Sequence, residues 1–552
     1  MRLAVVIPER CRPDRCSGEC ASVCPVNRSG EECVKIGEKA EIDETLCVGC
    51  GLCEKKCPKK ALKIVNTPQA LDEPPVYRYG PNGFALFRLP VPVEGVVGIL
   101  GRNGLGKSTS IKLLSGRLRP QNPEVFRGTE LQGYFENLDE KKVVVKPQNV
   151  EILREAEATV GEVLEKHDER GVSRELVRIF DLEALADREL RCLSGGELQR
   201  VAVTVACSRE ADIYFFDEPS CFLDVGHRLS LGKALRSLPS PVLVVEHDIA
   251  TLDLLADRVH IFYGVPGAFG VVSRPYSVRN GINCFLDGYI KDDNVKIHDR
   301  ITFEKGRKGS RGEVLVTFGK LVKKFPGFTL EVLPGEIARA GVLGILGRNG
   351  LGKTTFARLL CGELEPDEGS APRIKISYKP QYLRAPEGTV AEVLPSSPLY
   401  QEVVRSLELE PLMEFEVGEL SGGELQRVAV ASCLLREADL YLLDEPSAFL
   451  DSVQRMRVAR LLRTFAELGH AVAVIDHDLV LLSYLSDRSI LFEGEPGVFG
   501  RSEEMEADEA LNRFLKSLGV TFRRDPETGR PRANKPGSQK DEEQKKRGVY
   551  FG

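Results

Sequence analysis

Residues 193–203 read LSGGELQRVAV, and residues 420–430 read the same letters again. A serine followed by two glycines at the start of a helix presents free backbone N–H groups, an anion site. Working outward, each copy is flanked by the same blocks in the same order. GILGRNGLGKSTSIKLLSG (98–116) recurs as GILGRNGLGKTTFARLLCG (344–362). FFDEPSCFLD (215–224) recurs as LLDEPSAFLD (442–451), and VVEHD (244–248) as VIDHD (474–478). Each block is an apolar strand or turn feeding a helix. The chain therefore holds two copies of one large α/β domain, over 95–275 and 341–500, and not a solenoid of short units.

The copies differ in length. Lys107 precedes Ser194 by 87 residues and Lys353 precedes Ser421 by 68, so the first copy carries 19 more. Thirteen of them fall before the glutamine of KPQ, in a stretch at about 117–145 that includes FRGTELQGYFENL. Its apolar and aromatic positions fit a short helix on each side of a turn. An insertion present in one copy is expected to bind a partner; a surface loop without a role is the alternative.

With 552 residues, 42% hydrophobic and 29% charged, the chain has the composition of a folded protein of three or four domains and not of a disordered one. A net charge of -6 provides no global basic field for nucleic acid or membranes. No stretch of about 18 apolar residues spans a bilayer, and MRLAVVIPERCRPDRC does not read as a signal peptide, so a cytoplasmic location is expected. Residues 516–547 are locally basic, ten Lys and Arg against five Asp and Glu. They read as a solvated tail or as an RNA-facing patch.

Nine of fifteen cysteines lie in the first 57 residues, which in a reducing compartment points to metal. Cys47, Cys50, Cys53 and Cys57, followed by Pro58, have the x2-x2-x3 spacing of a bacterial [4Fe–4S] ferredoxin. A second run, Cys11, Cys16, Cys20 and Cys24 before Pro25, departs from it with spacing x4-x3-x3. In the ferredoxin crossover the last cysteine of each run serves the other cluster. Cys11, Cys16, Cys20 and Cys57 then hold one cluster, and Cys24, Cys47, Cys50 and Cys53 the second, with Cys33 a bystander. Two zinc sites would also use eight thiolates, but the spacing favours iron–sulfur. No flavin or nicotinamide fingerprint accompanies them, so a structural or sensing role stands beside electron transport. Cys192, Cys207, Cys221, Cys284, Cys361 and Cys433 are expected to be small buried apolar residues.

GRNGLGKS (101–108) and GRNGLGKT (347–354) fit G-x-x-x-x-G-K-[ST] between a strand and a helix, the context of a phosphate loop. The candidate nucleotide-binding residues are Gly101, Asn103, Gly104, Gly106, Lys107, Ser108 and Thr109 in the first copy, and Gly347, Asn349, Gly350, Gly352, Lys353, Thr354 and Thr355 in the second. The lysines reach the β/γ-phosphates, and Ser108 and Thr354 ligate Mg²⁺. Asp217 and Asp444 end buried strands and hold the Mg²⁺ shell. Glu218 and Glu445 polarise the attacking water, and His247 and His477 contact the γ-phosphate. Gln148 and Gln381, in the KPQ loops, face both Mg²⁺ and that water. Each copy has its own phosphate loop, so the second anion site suggests a head-to-tail pair. Ser421, Gly422 and Gly423 would cap the ATP held by Lys107, and Ser194, Gly195 and Gly196 the ATP held by Lys353. ATP would close this clamp and hydrolysis would release it. Asp224 and Asp451 would lie at the seam. Tyr79 and Phe84 at the first site, and Phe325 and Phe328 at the second, stack on adenine or pack in the core.

Together these residues resemble the ATP-binding-cassette superfamily, and specifically subfamily E, the ribosome-recycling ATPases whose eukaryotic form is called RNase L inhibitor. The resemblance covers essentially the whole chain and includes YGVPGAFGVV (263–272), GINCFLDGYI (281–290) and NRFLKSLGVTFRRDPETGRPRANKPGS (512–538). It implies two tandem P-loop ABC-type nucleotide-binding domains with an N-terminal ferredoxin-like domain. The expected units are 1–70 (iron–sulfur), 71–263 (first cassette), 264–315 (hinge 1), 316–493 (second cassette) and 494–552 (hinge 2 and basic segment). It implies an archaeal or eukaryotic ATPase using ATP, Mg²⁺ and two diamagnetic, non-catalytic [4Fe–4S] clusters. It also implies a monomer with an internal pseudo-dimer that binds terminating or stalled ribosomes beside a release factor or its paralogue. Closure swings the iron–sulfur module and splits the subunits. The protein then stays on the small subunit, touching rRNA and ribosomal proteins and linking to initiation factors. The insertion and hinges make the ribosome contacts. Arg102, Arg348 and Cys221 depart from the family's usual residues. A transporter ATPase would share the cassettes but needs a membrane partner and no ferredoxin-like module. A coiled-coil genome-maintenance ATPase needs hundreds of heptad residues where this chain has 86. A ferredoxin-linked redox enzyme leaves the twin cassettes unexplained.

Overall fold

The computed structural model describes residues 2–8, 10–66, 74–80, 82–303 and 312–552. The expected boundary at 70/71 and part of hinge 1 lie outside the described residues. In the N-terminal module Arg2–Val6 pairs antiparallel with Leu62–Asn66, and three short helices, Glu19–Ser22, Pro25–Arg28 and Leu52–Lys56, carry cysteines at or beside their first turns.

Each cassette is built on one large mixed sheet. In the first the order runs Tyr77–Arg78, Ala85–Phe87, Phe269–Val272, Arg258–Val265, Val96–Gly101, Val242–Val245, Ile213–Asp217, Val143–Lys146. The second repeats that order, from Leu321–Phe325 and Phe328–Val332 through the central Gly341–Gly347 to Leu440–Asp444 and Ile376–Lys379. The central strands Val96–Gly101 and Ile213–Asp217 are buried throughout, as expected of parallel strands covered on both faces. Phosphate loop and catalytic acids both emerge from the carboxyl ends of these strands.

Two expected boundaries move. The one at 263/264 falls inside strand Arg258–Val265, and the first sheet continues through Phe269–Val272, which pairs with Ala85–Phe87. The one at 493/494 falls inside Arg488–Glu495, which forms a hairpin with Phe499–Glu506. Both Pro-Gly stretches are hairpin turns between neighbouring strands within a sheet and not connectors between units. The insertion holds one α-helix, Glu130–Glu136, between short 3₁₀ turns at Pro123–Phe126 and Leu138–Glu140, because Pro120 and Pro123 disfavour a regular helix before it. Phe126 and Phe135 stack at 4.9 Å, and Tyr134 Oη donates to Leu114 O at 2.6 Å, which fastens the insertion to the helix after the phosphate loop.

The basic C-terminal stretch is not a solvated tail. Arg530, fully buried, and Arg532 both pair with Asp253 of the first cassette, at 3.1 and 2.9 Å. Asp525 accepts from Arg279 at 3.2 Å, so the C-terminal segment bridges back to the helix Val278–Asp287. The scattered cysteines also differ from expectation. Cys207 and Cys433 are buried, Cys221, Cys284 and Cys361 are half-buried, and Cys192 is exposed. No helix among the described residues is long and apolar enough to cross a membrane.

Candidate functional site: two composite nucleotide sites and a thiol-rich module

The phosphate loop of each cassette is held by backbone that only glycine adopts readily. Gly106 has φ +89° and Gly352 φ +94°, and a Cβ on Gly106 would stand 2.8 Å from the Phe84 ring. Lys107 Nζ donates to Gly101 O and Arg102 O, each at 2.8 Å; Lys353 repeats this with Gly347 and Arg348 at 2.9 and 2.8 Å. Burial lowers both lysines. Ser108 Oγ donates to Asp217 at 2.9 Å and Thr354 Oγ1 to Asp444 at 2.8 Å, which puts the hydroxyl and carboxylate expected around Mg²⁺ side by side. Burial raises both aspartates, a cost that a divalent cation would offset.

Glu218 and Glu445 follow in the left-handed region, φ +45° and +47°, a strained backbone that aims the carboxylates into the site. Gln148 Nε2 donates to Glu218 at 2.8 Å and Gln381 Nε2 to Glu445 at 2.7 Å. His247 Nε2 lies 3.3 Å from Glu218, and His477 Nε2 3.6 Å from Glu445. Three candidate catalytic groups, a glutamate, a glutamine and a histidine, are thus brought together twice.

The signature of each copy faces the other copy's phosphate loop. Ser194 and Ser421 cap 14-residue helices, Gly195–Ser208 and Gly422–Leu435, through capping boxes with Glu197 and Glu424. Asn349 Nδ2 lies 3.8 Å from where a Cβ on Gly196 would stand, and Asn103 Nδ2 lies 3.8 Å from that point on Gly423. Asp224 accepts the N–H of Asn349 at 2.8 Å, and Asp451 that of Asn103 at 3.1 Å. The structure therefore sets the two copies head to tail. Of the aromatics, Phe84 and Phe328 lie against Gly106 and Gly352. Tyr79 Oη is 3.4 Å from Thr109 Oγ1, and the exposed Phe325 stacks on Phe328 at 6.4 Å. Thr355 is half-buried in the helix Lys353–Leu360.

In the N-terminal module Cys20 is pushed up to about 11 by burial, with Cys57, Cys11 and Cys16 adding repulsion. Those four are the set expected to share a cluster. Cys24, Cys33, Cys47, Cys50 and Cys53 line one shared pocket. Cys33, read as a bystander, faces Cys24 and Cys47 there and is pushed up to about 12 by burial and by both neighbours. Among the described residues no three or more His, Cys, Asp or Glu are placed to hold a single ion. The thiols surround a space, as a cluster requires, and Ala4, Ala40 and Ala61 already direct backbone N–H groups at Cys47, Cys11 and Cys57 at 3.2–3.4 Å.

The family model described as ABC transporter matches residues 87–221 and 330–448. A possible Fer4-like domain in RNase L inhibitor matches 1–32, and a 4Fe-4S binding domain matches 40–63. The whole chain is 48% identical to an uncharacterized ABC transporter ATP-binding protein of Methanocaldococcus jannaschii, over 97% of that protein. It is 41% identical to translation initiation factor RLI1 of Saccharomyces cerevisiae, over 98%. The chain belongs to the RNase L inhibitor family, subfamily E of the ATP-binding-cassette proteins. A solved assembly described as a model of ribosome-bound archaeal Pelota and ABCE1 contains a chain that matches with TM-score 0.94 and 48% identity, covering 100% of this chain and 99% of that one. This RNase L inhibitor family member is an ATPase that uses Mg²⁺ and carries two [4Fe–4S] clusters; the ferredoxin-type matches set the zinc alternative aside.

Sequence reading missed two pairs of site residues. Gln199 Nε2 donates to Glu218 O at 2.9 Å and to Pro219 O at 2.7 Å; Gln426 does the same to Glu445 O at 2.7 Å. The last residue of LSGGELQ therefore fixes the strained catalytic turn of its own cassette. Lys146 and Lys379, of KPQ, donate to Asp217 O and Asp444 O at 3.2 and 2.7 Å, and burial pushes both down to about 8. Their recurrence inside repeated blocks was the available signal.

Proposed function

We propose that this protein is an ATP-driven ribosome recycling factor. ATP binding closes the cassettes, moves the iron–sulfur module and splits the ribosome after termination or stalling; hydrolysis to ADP and phosphate resets it. Ser108 with Asp217, and Thr354 with Asp444, hold Mg²⁺. Lys107, Lys353 and the opposite signatures hold the phosphates. Glu218 and Glu445 take the proton from the attacking water, with His247 and His477 at the γ-phosphate and Gln148 and Gln381 beside the water. The clusters are structural: Cys11, Cys16, Cys20 and Cys57 hold one, Cys24, Cys47, Cys50 and Cys53 the other. The monomer works in the cytoplasm on the small subunit, its rRNA and proteins, with a release factor or its stalled-ribosome paralogue, and with initiation factors. The insertion near 117–145 and the two hinge segments are the contact elements.

One observation carries this reading. Arg10, next to the cluster ligand Cys11, donates from Nη2 to Glu424 Oε1 at 3.2 Å. Glu424 is the capping-box acid of the second signature, so the module rests on the element that faces ATP at the first site. The full-length likeness to a ribosome-bound relative points the same way. The test is sedimentation of the Glu218→Gln/Glu445→Gln protein, purified anaerobically, with small ribosomal subunits. Co-migration with ATP and not ADP is expected. Absence of co-migration in both nucleotides overturns the reading. Cys11→Ser or Cys50→Ser is expected to leave folded cassettes that do not split ribosomes; normal splitting after complete iron loss overturns that part.

A further inference from the structure

The residue after the first glycine of each phosphate loop, Arg102 or Arg348, gives its carbonyl to the loop lysine but keeps its side chain out of the Glu–Gln–His cluster just described. Each reaches across the seam. Arg102 Nη2 pairs with Glu408 of the second cassette at 3.2 Å, and Arg348 Nη2 pairs with Asp181 of the first at 3.1 Å. These acids stand at equivalent places. Each follows a short helix, Ser173–Ile179 or Tyr400–Ser406, and each has a left-handed backbone, φ +50° at Asp181 and +51° at Glu408.

The acidic turns are fastened to the signatures. Arg200, in the first signature helix, donates from Nη1 to Phe180 O at 2.6 Å and Asp181 O at 3.0 Å. Arg427, in the second, donates to Leu407 O at 2.6 Å and Glu408 O at 3.0 Å. A continuous path therefore runs from each phosphate loop, through an arginine–carboxylate pair, to the opposite signature helix. It is repeated twice under the pseudo-twofold relation. The pairs are not equal. Glu408 is also paired with Arg457 and its side chain is 36% exposed. Asp181 has His227 Nε2 at 3.4 Å and is 60% exposed.

We propose that Arg102 and Arg348 are positioning residues that dock each signature onto the opposite phosphate loop, and that the Arg102–Glu408 pair contributes more than Arg348–Asp181. The arginine side chains reach carboxylates of the opposite cassette. They act by bringing Ser421 to the Lys107 site and Ser194 to the Lys353 site, so they favour the closed form over the open one. Solvent screening is weaker around Glu408, and Arg457 fixes its orientation in advance, which makes docking there the stronger of the two. The proposal rests on the composite-site reading but not on the ribosome as partner.

The test uses the full-length, cluster-loaded protein without ribosomes. Retention of labelled ATP after rapid gel filtration is measured in the Glu218→Gln/Glu445→Gln background, and KM and kcat in the otherwise unchanged protein. Arg102→Glu is expected to raise KM for ATP about fivefold and Arg348→Glu about threefold, with smaller changes in kcat, as partly exposed ion pairs allow. Retention falls in parallel. Arg102→Glu with Glu408→Arg, and Arg348→Glu with Asp181→Arg, are expected to restore most of the loss, which a merely structural role would not do. The uncharged Arg102→Met/Arg348→Met protein, checked by its unfolding midpoint, covers the case in which reversal impairs folding. It too is expected to bind ATP more weakly. Swapped pairs no better than single reversals, or an Arg102→Met/Arg348→Met protein with unchanged KM and retention, overturn the proposal. If the parental double-Gln protein retains no ATP, the composite-site reading fails and the proposal with it. If retention responds as expected while ribosomes are not bound, only the recycling reading fails.

Discussion

At the first ATP site burial pushes Glu218 up, but His247 at 3.3 Å, Lys107 and Gln148 outweigh it and hold the carboxyl down at about 2. At the second, burial pushes Glu445 up to about 7, with Asp444 and Asp476 adding repulsion that Lys353 and Lys379 do not offset. His477 gives no cationic help, because burial and Lys353 keep it well below its ordinary value. The divergence begins one residue before each histidine. Glu246 folds back onto the N–H groups of His247 and Asp248. Asp476, one methylene shorter, keeps the equivalent contact with Asp478 N–H but also accepts from Ser447 N and Oγ, which draws its charge toward the Glu445 turn. The proposed bases of two identical motifs thus differ in how readily they ionise, because the His247 contact outweighs burial at Glu218 while burial and then Asp444 and Asp476 raise Glu445.

The largest expected effect removes the comparison altogether. Glu218→Gln with Glu445→Gln is expected to lower phosphate release about a thousandfold, the scale of losing a positioned general base. Parental turnover in that protein would show that neither acid is the base. Between the single variants, Glu218→Gln should cost more at pH 7, because about half of Glu445 is already protonated there. Equal losses would mean that the two bases are in fact alike.

The second effect depends on pH. In Glu218→Gln protein only the second site turns over, and its base works when charged. That form is gained as pH rises through about 7, so kcat should climb about tenfold from pH 6 to pH 8. Glu445→Gln protein depends on Glu218, already ionised across that range, and its kcat should stay nearly flat. Matching profiles would break the asymmetry.

Much of this site was legible because the chain is its own alignment. Two copies of GRNGLGK, LSGGELQ and DEP named the residues that the fold gathers at strand ends. What escaped is physically distinct. Gln199 and Lys146 act through backbone carbonyls, and a sequence does not show which carbonyl a side chain reaches. The cross-seam acids Asp181 and Glu408 stand at aligned positions of SRELVRIFDLEAL (173–185) and YQEVVRSLELEPL (400–412), but they lie 167 and 306 residues from their arginines, and nothing in those segments says what the acids meet. The hairpins at Pro266–Gly267 and Pro496–Gly497 fall inside the expected hinges 264–315 and 494–552; Pro and Gly mark a turn without saying whether the chain returns to the same sheet. The charge of residues 516–547 said nothing of burial, so Arg530 passed for a surface group although Asp253 takes it into the interior.

The smallest effect concerns a residue of one cassette serving the other's site. Ser452 Oγ donates to His247 O at 2.7 Å across the seam, in a buried setting. The equivalent residue of the first cassette is Val225, which has no hydroxyl. Among the described residues the His477 carbonyl receives only a long contact from Arg228, at 3.5 Å. Ser452→Val would therefore give the first site the poorer support of the second. It leaves a buried carbonyl short of a donor, a loss of about 1 kcal/mol and so about fivefold in rate if the loop is needed in place at the transition state. The loss should appear in the Glu445→Gln background, where the first site does the work, and not in Glu218→Gln, although Ser452 belongs to the second cassette. An equal fall in both backgrounds would make Ser452 an ordinary packing residue. A fall confined to the first site would show that each histidine loop is steadied by the opposite cassette.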